Sequence, residues 1–215
     1  MICLLCAQSI PVTYKFQDLF LFQTPEIQLC SSCHAQFEHI SHSHCPRCFK
    51  SGSNGICMDC QNWESKGVIV AHHAFYCYND AMKSYFSQYK FQGDYRLRKV
   101  FRNVFKKLPK NFVYVPIPVS IERLKERGFN QVTGFLSEIA YQEVLEKEET
   151  TQQSSLSRAL RLKSENPFRI KKEAHLPQKI CLIDDIYTTG ATLNHAVKLL
   201  KDAGVSEVRT CSLCR

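Results

Sequence analysis

The run Ile180-Cys181-Leu182-Ile183-Asp184-Asp185-Ile186-Tyr187-Thr188-Thr189-Gly190-Ala191-Thr192 concentrates side chains able to do chemistry. An apolar stretch ends in two adjacent carboxylates, and a turn rich in hydroxyls and glycine follows before a helical pattern begins. The apolar stretch reads as a buried parallel strand. Asp184 and Asp185 then stand at its carboxyl end, where open α/β sheets bind ligands. Two carboxylates there can accept hydrogen bonds from a pair of ribose hydroxyls. Thr188, Thr189, Gly190, Ala191 and Thr192 offer backbone N–H groups, hydroxyls and a glycine that permits close approach. The helix that follows turns its positive end to the same spot, which suits a 5′-phosphate. Ordinary helix capping asks for one acceptor only, not for this whole arrangement.

Cysteine carries the second signal. Of twelve cysteines, eight form four Cys-x-x-Cys pairs near the start: Cys3/Cys6, Cys30/Cys33, Cys45/Cys48 and Cys57/Cys60. That spacing lets two thiolates hold one ion, and two pairs complete a tetrahedral zinc site. Sequential pairing assigns Cys3, Cys6, Cys30 and Cys33 to one ion and Cys45, Cys48, Cys57 and Cys60 to another; a crossed arrangement has the same spacings. Disulfides would need an oxidising compartment, and Met1-Ile2-Cys3-Leu4-Leu5-Cys6 lacks the basic start and long apolar core of a secretory signal. Four tandem copies also argue against a redox pair. With four thiolates to each ion no coordination position stays open, so two structural zinc ions are expected. Cys211 and Cys214 repeat the spacing within an alternating run that reads as a last strand, and with Cys77 and Cys181 they are expected in the core. His34, His39, His42 and His44 read as groups around the metal module, and His72 and His73 as structural.

The stretch 180–192 resembles the phosphoribosyl pyrophosphate (PRPP) signature of type I phosphoribosyltransferases. PRPP also carries a pyrophosphate, and two further clusters suit it. Pro116 and Pro118 stiffen a loop after an apolar run. Arg123 and Arg127 offer fork-shaped donors to phosphate oxygens, and Asn130 and Gln131 add amides near a helix start. Gln153, Arg158 and Arg161 lie in a polar segment reaching Asn166 that is able to close as a lid. The alternative is that these arginines only cap helices or pair with Glu122 and Glu126.

The elements that must position these groups follow from periodicity. Residues 68–78 read as one or two strands. Asn79 caps a helix to about residue 90, and Gly93 and Asp94 break it and start another to about residue 107. A buried strand spans 112–117, a helix about 130–145, and a polar loop with one short helix 146–176. Strand 179–184, helix 190–203 and strand 206–213 complete the chain. Strands alternating with helices imply an α/β fold with a mostly parallel sheet. The division expected is a small zinc module over 1–64 and a phosphoribosyltransferase-like domain over 65–215. The first part is too short to bury much core, hence its need for metal.

Net charge is +8 and unevenly spread, with three Lys/Arg against five Asp/Glu in residues 1–65 and twenty-five against fifteen in 66–215. Lys90, Arg96, Arg98, Lys99, Arg102, Lys106, Lys107 and Lys110 face one acid, Asp94, and aromatic residues interleave with them. Basic residues that follow a backbone and rings that stack on bases suit single-stranded nucleic acid. The competing account is an amphipathic helix whose Leu97, Val100, Phe101, Val104, Phe105 and Leu108 face the core while its charges face solvent. No stretch approaches the roughly twenty apolar residues of a membrane span, so a soluble, cytoplasmic protein is expected.

Together, the cysteine pairs, Lys90-Phe91-Gln92-Gly93-Asp94, Val115-Pro116-Ile117-Pro118, Arg127-Gly128-Phe129-Asn130-Gln131, the segment from Gln153 to Asn166 and the stretch 184–192 resemble the ComF/ComFC family of competence proteins. The resemblance implies a double zinc ribbon on a type I phosphoribosyltransferase fold. It implies a part in natural transformation, with action on incoming single-stranded DNA in the cytoplasm and a ComFA-like helicase or ATPase as partner. It implies a site for PRPP or a nucleotide, with Mg²⁺ accompanying PRPP. An active PRPP-dependent transferase in nucleotide salvage is the alternative, and no residue stands out as a base toward a nucleobase. The chain departs from the family where many relatives carry Arg-x-Arg-x-Thr, just ahead of the position of Gln153; here it has Glu146-Lys147-Glu148-Glu149-Thr150-Thr151.

Overall fold

The computed structural model describes residues 1–11, 20, 28–147 and 166–215. The expected lid residues Gln153, Arg158 and Arg161 fall outside these.

A parallel four-stranded sheet organises the chain. Its strands are β1 (His72–Tyr76), β2 (Val113–Pro116), β5 (Lys179–Ile186) and β6 (Glu207–Cys214), in the spatial order β1-β6-β5-β2. The expected parallel α/β fold is the one observed. Along β5 the period of two sends Ile180 and Leu182 to one face and Cys181 and Ile183 to the other, and each pair enters a separate core. A strand covered on both sides is what a continuous apolar run predicts.

One face packs against α3 (Asp80–Phe86), α4 (Arg98–Phe105) and α6 (Gln131–Phe135), with Tyr85, Phe101, Phe105 and Phe135 buried there. The other packs against α7 (Ala191–Asp202) through Leu193, Ala196, Val197 and Leu200. Two shorter helices, α1 (Ser31–Ala35) and α2 (Met58–Glu64), belong to the cysteine-rich part, and α5 (Ile121–Arg127) follows β2. The cysteine-rich part straddles the β1 edge. Cys3, Ile10, Leu29 and Phe37 join the first core, while Cys45, Cys48, Cys57, Cys60 and Trp63 join the second. Its backbone also covers the edge strand, with Cys77 N–H donating to Glu38 (2.8 Å) and His72 N–H to Arg47 (3.0 Å).

Several boundaries differ from the sequence reading. The helix expected to reach residue 90 ends at Phe86 and continues as a π-turn, Ser87–Phe91. The next starts with a 3₁₀ turn, Tyr95–Leu97, and stops at Phe105. The helix expected over 130–145 ends at Phe135. Beyond it the chain runs beside β2, where Gln142 N–H donates to the Tyr114 carbonyl (2.9 Å). An open sheet edge thus wins over helical periodicity. The segment read as a polar loop carries an antiparallel ribbon at its base, β3 (Leu145–Lys147) with β4 (Phe168–Ile170). Only His72–Tyr76 of the run 68–78 is strand.

Candidate functional site

The carboxylates lie where the sequence predicts, at the C-terminal end of β5 beside Ser212 of β6. Both are buried, and their environments drive them apart. Burial, reinforced by the neighbouring carboxylate, pushes Asp184 up to about 8. Burial also opposes the charge on Asp185, yet the Lys90 ammonium outweighs it and holds that carboxyl below its usual range. Asp184 Oδ1 accepts from the Asp185 N–H at 2.9 Å. The two carboxyls are thus driven in opposite directions, Asp185 toward its ionised form by Lys90 and Asp184 toward its protonated form by burial.

Lys90 was grouped with the basic helix in the sequence reading. The structure sets it apart: its Nζ pairs with Asp185, its side chain is almost covered, and it lies 4.2 Å over the Phe86 ring. The π-turn explains this. The extra residue in the turn shifts the helical phase, so periodicity alone puts Lys90 on the wrong face. Gln131, expected from sequence only to add an amide near a helix start, also belongs here. Its Oε1 accepts from Arg127, and its side chain lies beside Asp185 and favours the ionised carboxylate. Burial lowers the Arg127 pKa, and a continuous polar chain runs Lys90–Asp185–Gln131–Arg127. On the Asp184 side stands Lys147, whose pKa burial lowers and which feels both Asp184 and Arg123.

The phosphate-loop residues follow directly. Gly190 has φ 79°, and a Cβ there would lie 2.1 Å from Tyr187 Oη, so backbone strain and lack of space both exclude a side chain. The loop carbonyls turn inward. Arg215 donates to the carbonyls of Tyr187 (3.3 Å) and Thr188 (2.5 Å), Trp63 Nε1 to Thr189 (3.0 Å), and Asn194 N–H to Gly190 (2.8 Å). Among the described residues the N–H groups of Thr188, Thr189 and Gly190 have no protein acceptor, and Ala191 N–H has only a long contact to Thr189 Oγ1 (3.4 Å). Free donors at the head of α7 are of the kind that can receive an anion. A small recess lined by Asp184, Thr188, Gly190 and Thr192 lies there.

The proline loop borders a separate cleft of about 800 Å³ lined by Pro116, Pro118, Asn130 and Lys147 among others, and Arg123 and Arg127 are not among its lining residues. The peptide bonds before Pro116 and Pro118 are trans. Ser120 caps α5, and Arg123 and Arg127 project from that helix. Asn130 is engaged structurally: its Oδ1 caps α6 and its Nδ2 donates to the Ile117 carbonyl at 3.1 Å, tying this helix to the proline loop. The other basic-helix residues scatter over the surface. Arg96 pairs with Asp94, Arg98 stacks 4.1 Å from the Tyr95 ring, Lys99 is exposed, and Arg102 and Lys106 both pair with Glu138. Phe91 and Tyr95 are exposed near them, whereas Leu97, Phe101 and Phe105 are core, as helical spacing predicts.

The cysteines assemble sequentially rather than crossed: in each group, Cys3/Cys6/Cys30/Cys33 and Cys45/Cys48/Cys57/Cys60, the four sulfurs lie within 4.8 Å of one another. In the second group the sulfurs meet pairwise, Cys45 with Cys60 at 3.9 Å and Cys48 with Cys57 at 3.5 Å. Four adjacent thiolates are not tolerated by themselves, so the donor set fits a dication such as structural zinc. Cys181, Cys211 and Cys214 are buried as expected, and Cys77 is half-buried. His72 is buried between the hydroxyls of Thr210 (2.9 Å) and Ser212 (3.0 Å), and burial keeps it neutral, a structural role. No helix among the described residues is long and apolar enough to cross a membrane.

Comparison with known proteins adds family information. The phosphoribosyl transferase domain family matches residues 121–215. Competence protein ComFC of Streptococcus pneumoniae is 46% identical, with 99% of each chain covered. Competence protein ComFC of Bacillus subtilis is 35% identical over 95% of this chain and 90% of its own. Competence protein F of Haemophilus influenzae is 26% identical over 87% of this chain and 90% of its own.

Proposed function

Because the chain belongs to the ComFC family of competence proteins, we propose that it serves DNA uptake in natural transformation, acting in the cytoplasm on incoming single-stranded DNA through a site that binds PRPP or a related phosphoribosyl group. One juxtaposition carries this reading: two carboxylates at the end of β5 beside a loop whose unengaged N–H groups face outward. The carboxylates are acceptors for ribose hydroxyls and the loop is a donor set for a phosphate, at the two ends of a single sugar phosphate. Asp184 becomes the stronger acceptor for a hydroxyl once it gives up its proton, and Lys90 must release Asp185 or share it with the ligand. Arg127, held through Gln131, and Arg123 stand to receive the pyrophosphate. Mg²⁺ bound with PRPP would offset the pyrophosphate charge. Calorimetric titration with PRPP and Mg²⁺ tests the site: saturable binding that is lost in Asp185→Asn supports it, and equal binding by both proteins sinks it.

Exposed Phe91 and Tyr95 beside Arg96, Arg98 and Lys99 favour contact with a single strand, through stacking and phosphate pairing. The zinc module, wrapped over the sheet edge, is the part proposed to meet a ComFA-like helicase or ATPase. Pull-down with Cys30→Ser tests that assignment, since docking through this module requires loss of the partner while PRPP still binds.

Lys90, Arg123, Arg127 and Lys147 near the carboxylate pair favour a second reading, an active transferase. A ring nitrogen of the acceptor would form a bond to C1 of PRPP while the C1–O bond to pyrophosphate breaks, the pyrophosphate leaving with the electron pair. Pyrophosphate release with a panel of nucleobases and single-stranded DNA decides it, with the doubly substituted Asp184→Asn/Asp185→Asn protein as blank. Release above blank names the acceptor; none, with PRPP still bound, leaves a ligand-binding module.

A further inference from the structure

The phosphate loop is not held by its own strand and helix alone. Three of its consecutive carbonyls are gripped from elsewhere: Tyr187 and Thr188 by Arg215, and Thr189 by the indole N–H of Trp63. Both donors are anchored to the second four-cysteine group. Cys57 caps α2, Cys60 lies within it, and Trp63 follows Cys60 by three residues, on the same buried face. Arg215 lies 3.6 Å from buried Asp59 of α2, stacks 4.7 Å over the Tyr187 ring, and carries its positive charge beside Cys48. Its guanidinium is nearly covered, so it spans the cysteine group and the loop as a fixed strut.

We infer that the second four-cysteine site, through Trp63 and Arg215, holds the loop carbonyls inward and thereby aims the loop N–H groups at the phosphate. Each peptide plane is rigid, so fixing the carbonyl of one residue fixes the N–H of the next in the opposite direction. Pinning Tyr187, Thr188 and Thr189 through their carbonyls orients the amides of Thr188, Thr189 and Gly190, which are the three left unengaged. Trp63 and Arg215 are therefore positioning residues for the phosphate site. The cysteine group fits a divalent metal by its donor chemistry, and that metal holds α2 and Cys48 in place. Metal and phosphate must then strengthen each other's binding, because a coupling between two sites is reciprocal. The inference rests on the phosphate reading of the loop.

The test uses the full zinc-loaded chain with ribose 5-phosphate as probe, followed by ³¹P NMR, and a chromogenic chelator that reports zinc release. Trp63→Phe keeps an aromatic ring at this buried position and removes the N–H donor together with part of the indole's volume. Its expected effect is about fivefold weaker ribose 5-phosphate binding, the worth of one hydrogen bond, at unchanged zinc content. Arg215→Gln removes the charge and shortens the side chain that bonds two carbonyls through Nη1, and is expected to weaken binding further. In the unaltered chain, ribose 5-phosphate should slow the loss of one of the two zinc ions, and Trp63→Phe should blunt that protection. Unchanged affinity in Trp63→Phe, or zinc loss indifferent to ribose 5-phosphate, overturns the coupling. Failure of the unaltered chain to bind ribose 5-phosphate overturns the phosphate reading as well, so the two failures are distinct. If Trp63→Phe does not fold, the zinc-release arm on the unaltered chain decides alone.

Discussion

Asp184 and Asp185 are adjacent and chemically identical, yet burial and Lys90 give them opposite protonation preferences. A carboxyl raised from 3.8 to about 8 on folding stabilises the fold only while it is protonated. That contribution is complete below the unfolded pKa and is lost as pH rises through about 8. We expect Asp184→Asn to flatten the fall in melting temperature between pH 4 and pH 8 and to be the more stable protein at the upper end; equal slopes in both proteins would contradict the raised pKa. For the same reason PRPP binding that favours ionised Asp184 should release a proton near neutral pH, visible as a buffer-dependent binding enthalpy in calorimetry. Gly190→Ala meets both a φ of 79° and the Tyr187 hydroxyl. It is expected to lower stability by about 1–3 kcal/mol and to abolish phosphate binding, measured by denaturant melts and by ribose 5-phosphate titration.

At the scale of elements, the π-turn and the cysteine groups have the largest consequences. The π-turn delivers Lys90 to Asp185 while Tyr89 stays in the core. A substitution that keeps the turn but removes the charge, Lys90→Met, should raise the Asp185 pKa and shift PRPP binding to higher pH, read from binding titrations across pH. Each cysteine group sits at a sheet face, so metal loss should damage packing as well as the local fold. Native mass spectrometry is expected to find two zinc ions per chain, one for each four-sulfur group, and one in Cys48→Ser. Two ions remaining in Cys48→Ser would show that this group does not need its fourth thiolate.

For the whole molecule, the charge asymmetry matters most. The cysteine-rich part is acidic, and the remainder carries the excess of basic residues. Affinity for single-stranded DNA should therefore fall steeply and linearly on a logarithmic salt scale as counterions are released, and a flat response removes the basic surface from consideration. Arg102 and Lys106 already share Glu138 and Arg96 pairs with Asp94, so Arg98 and Lys99 are expected to contribute more of that slope.

The sequence by itself determined what depends on local order. The apolar run ending in two aspartates, the hydroxyl-rich turn and the four Cys-x-x-Cys pairs each write their chemistry within a few neighbouring positions, and α7, β5 and β6 follow from plain periodicity. Tertiary structure decided whatever depends on partners distant in the chain. It chose sequential over crossed cysteine grouping, because spacing is the same for both. It ended α6 at Phe135, because the β2 edge offered the following segment backbone partners that periodicity cannot see. It moved Lys90 from an exposed helix face to a buried carboxylate through one added residue in a turn. It also brought Trp63 and Arg215, far apart in the chain, onto three consecutive carbonyls of one loop. Local residue types establish which groups are present, and long-range packing and hydrogen bonding establish which of them meet.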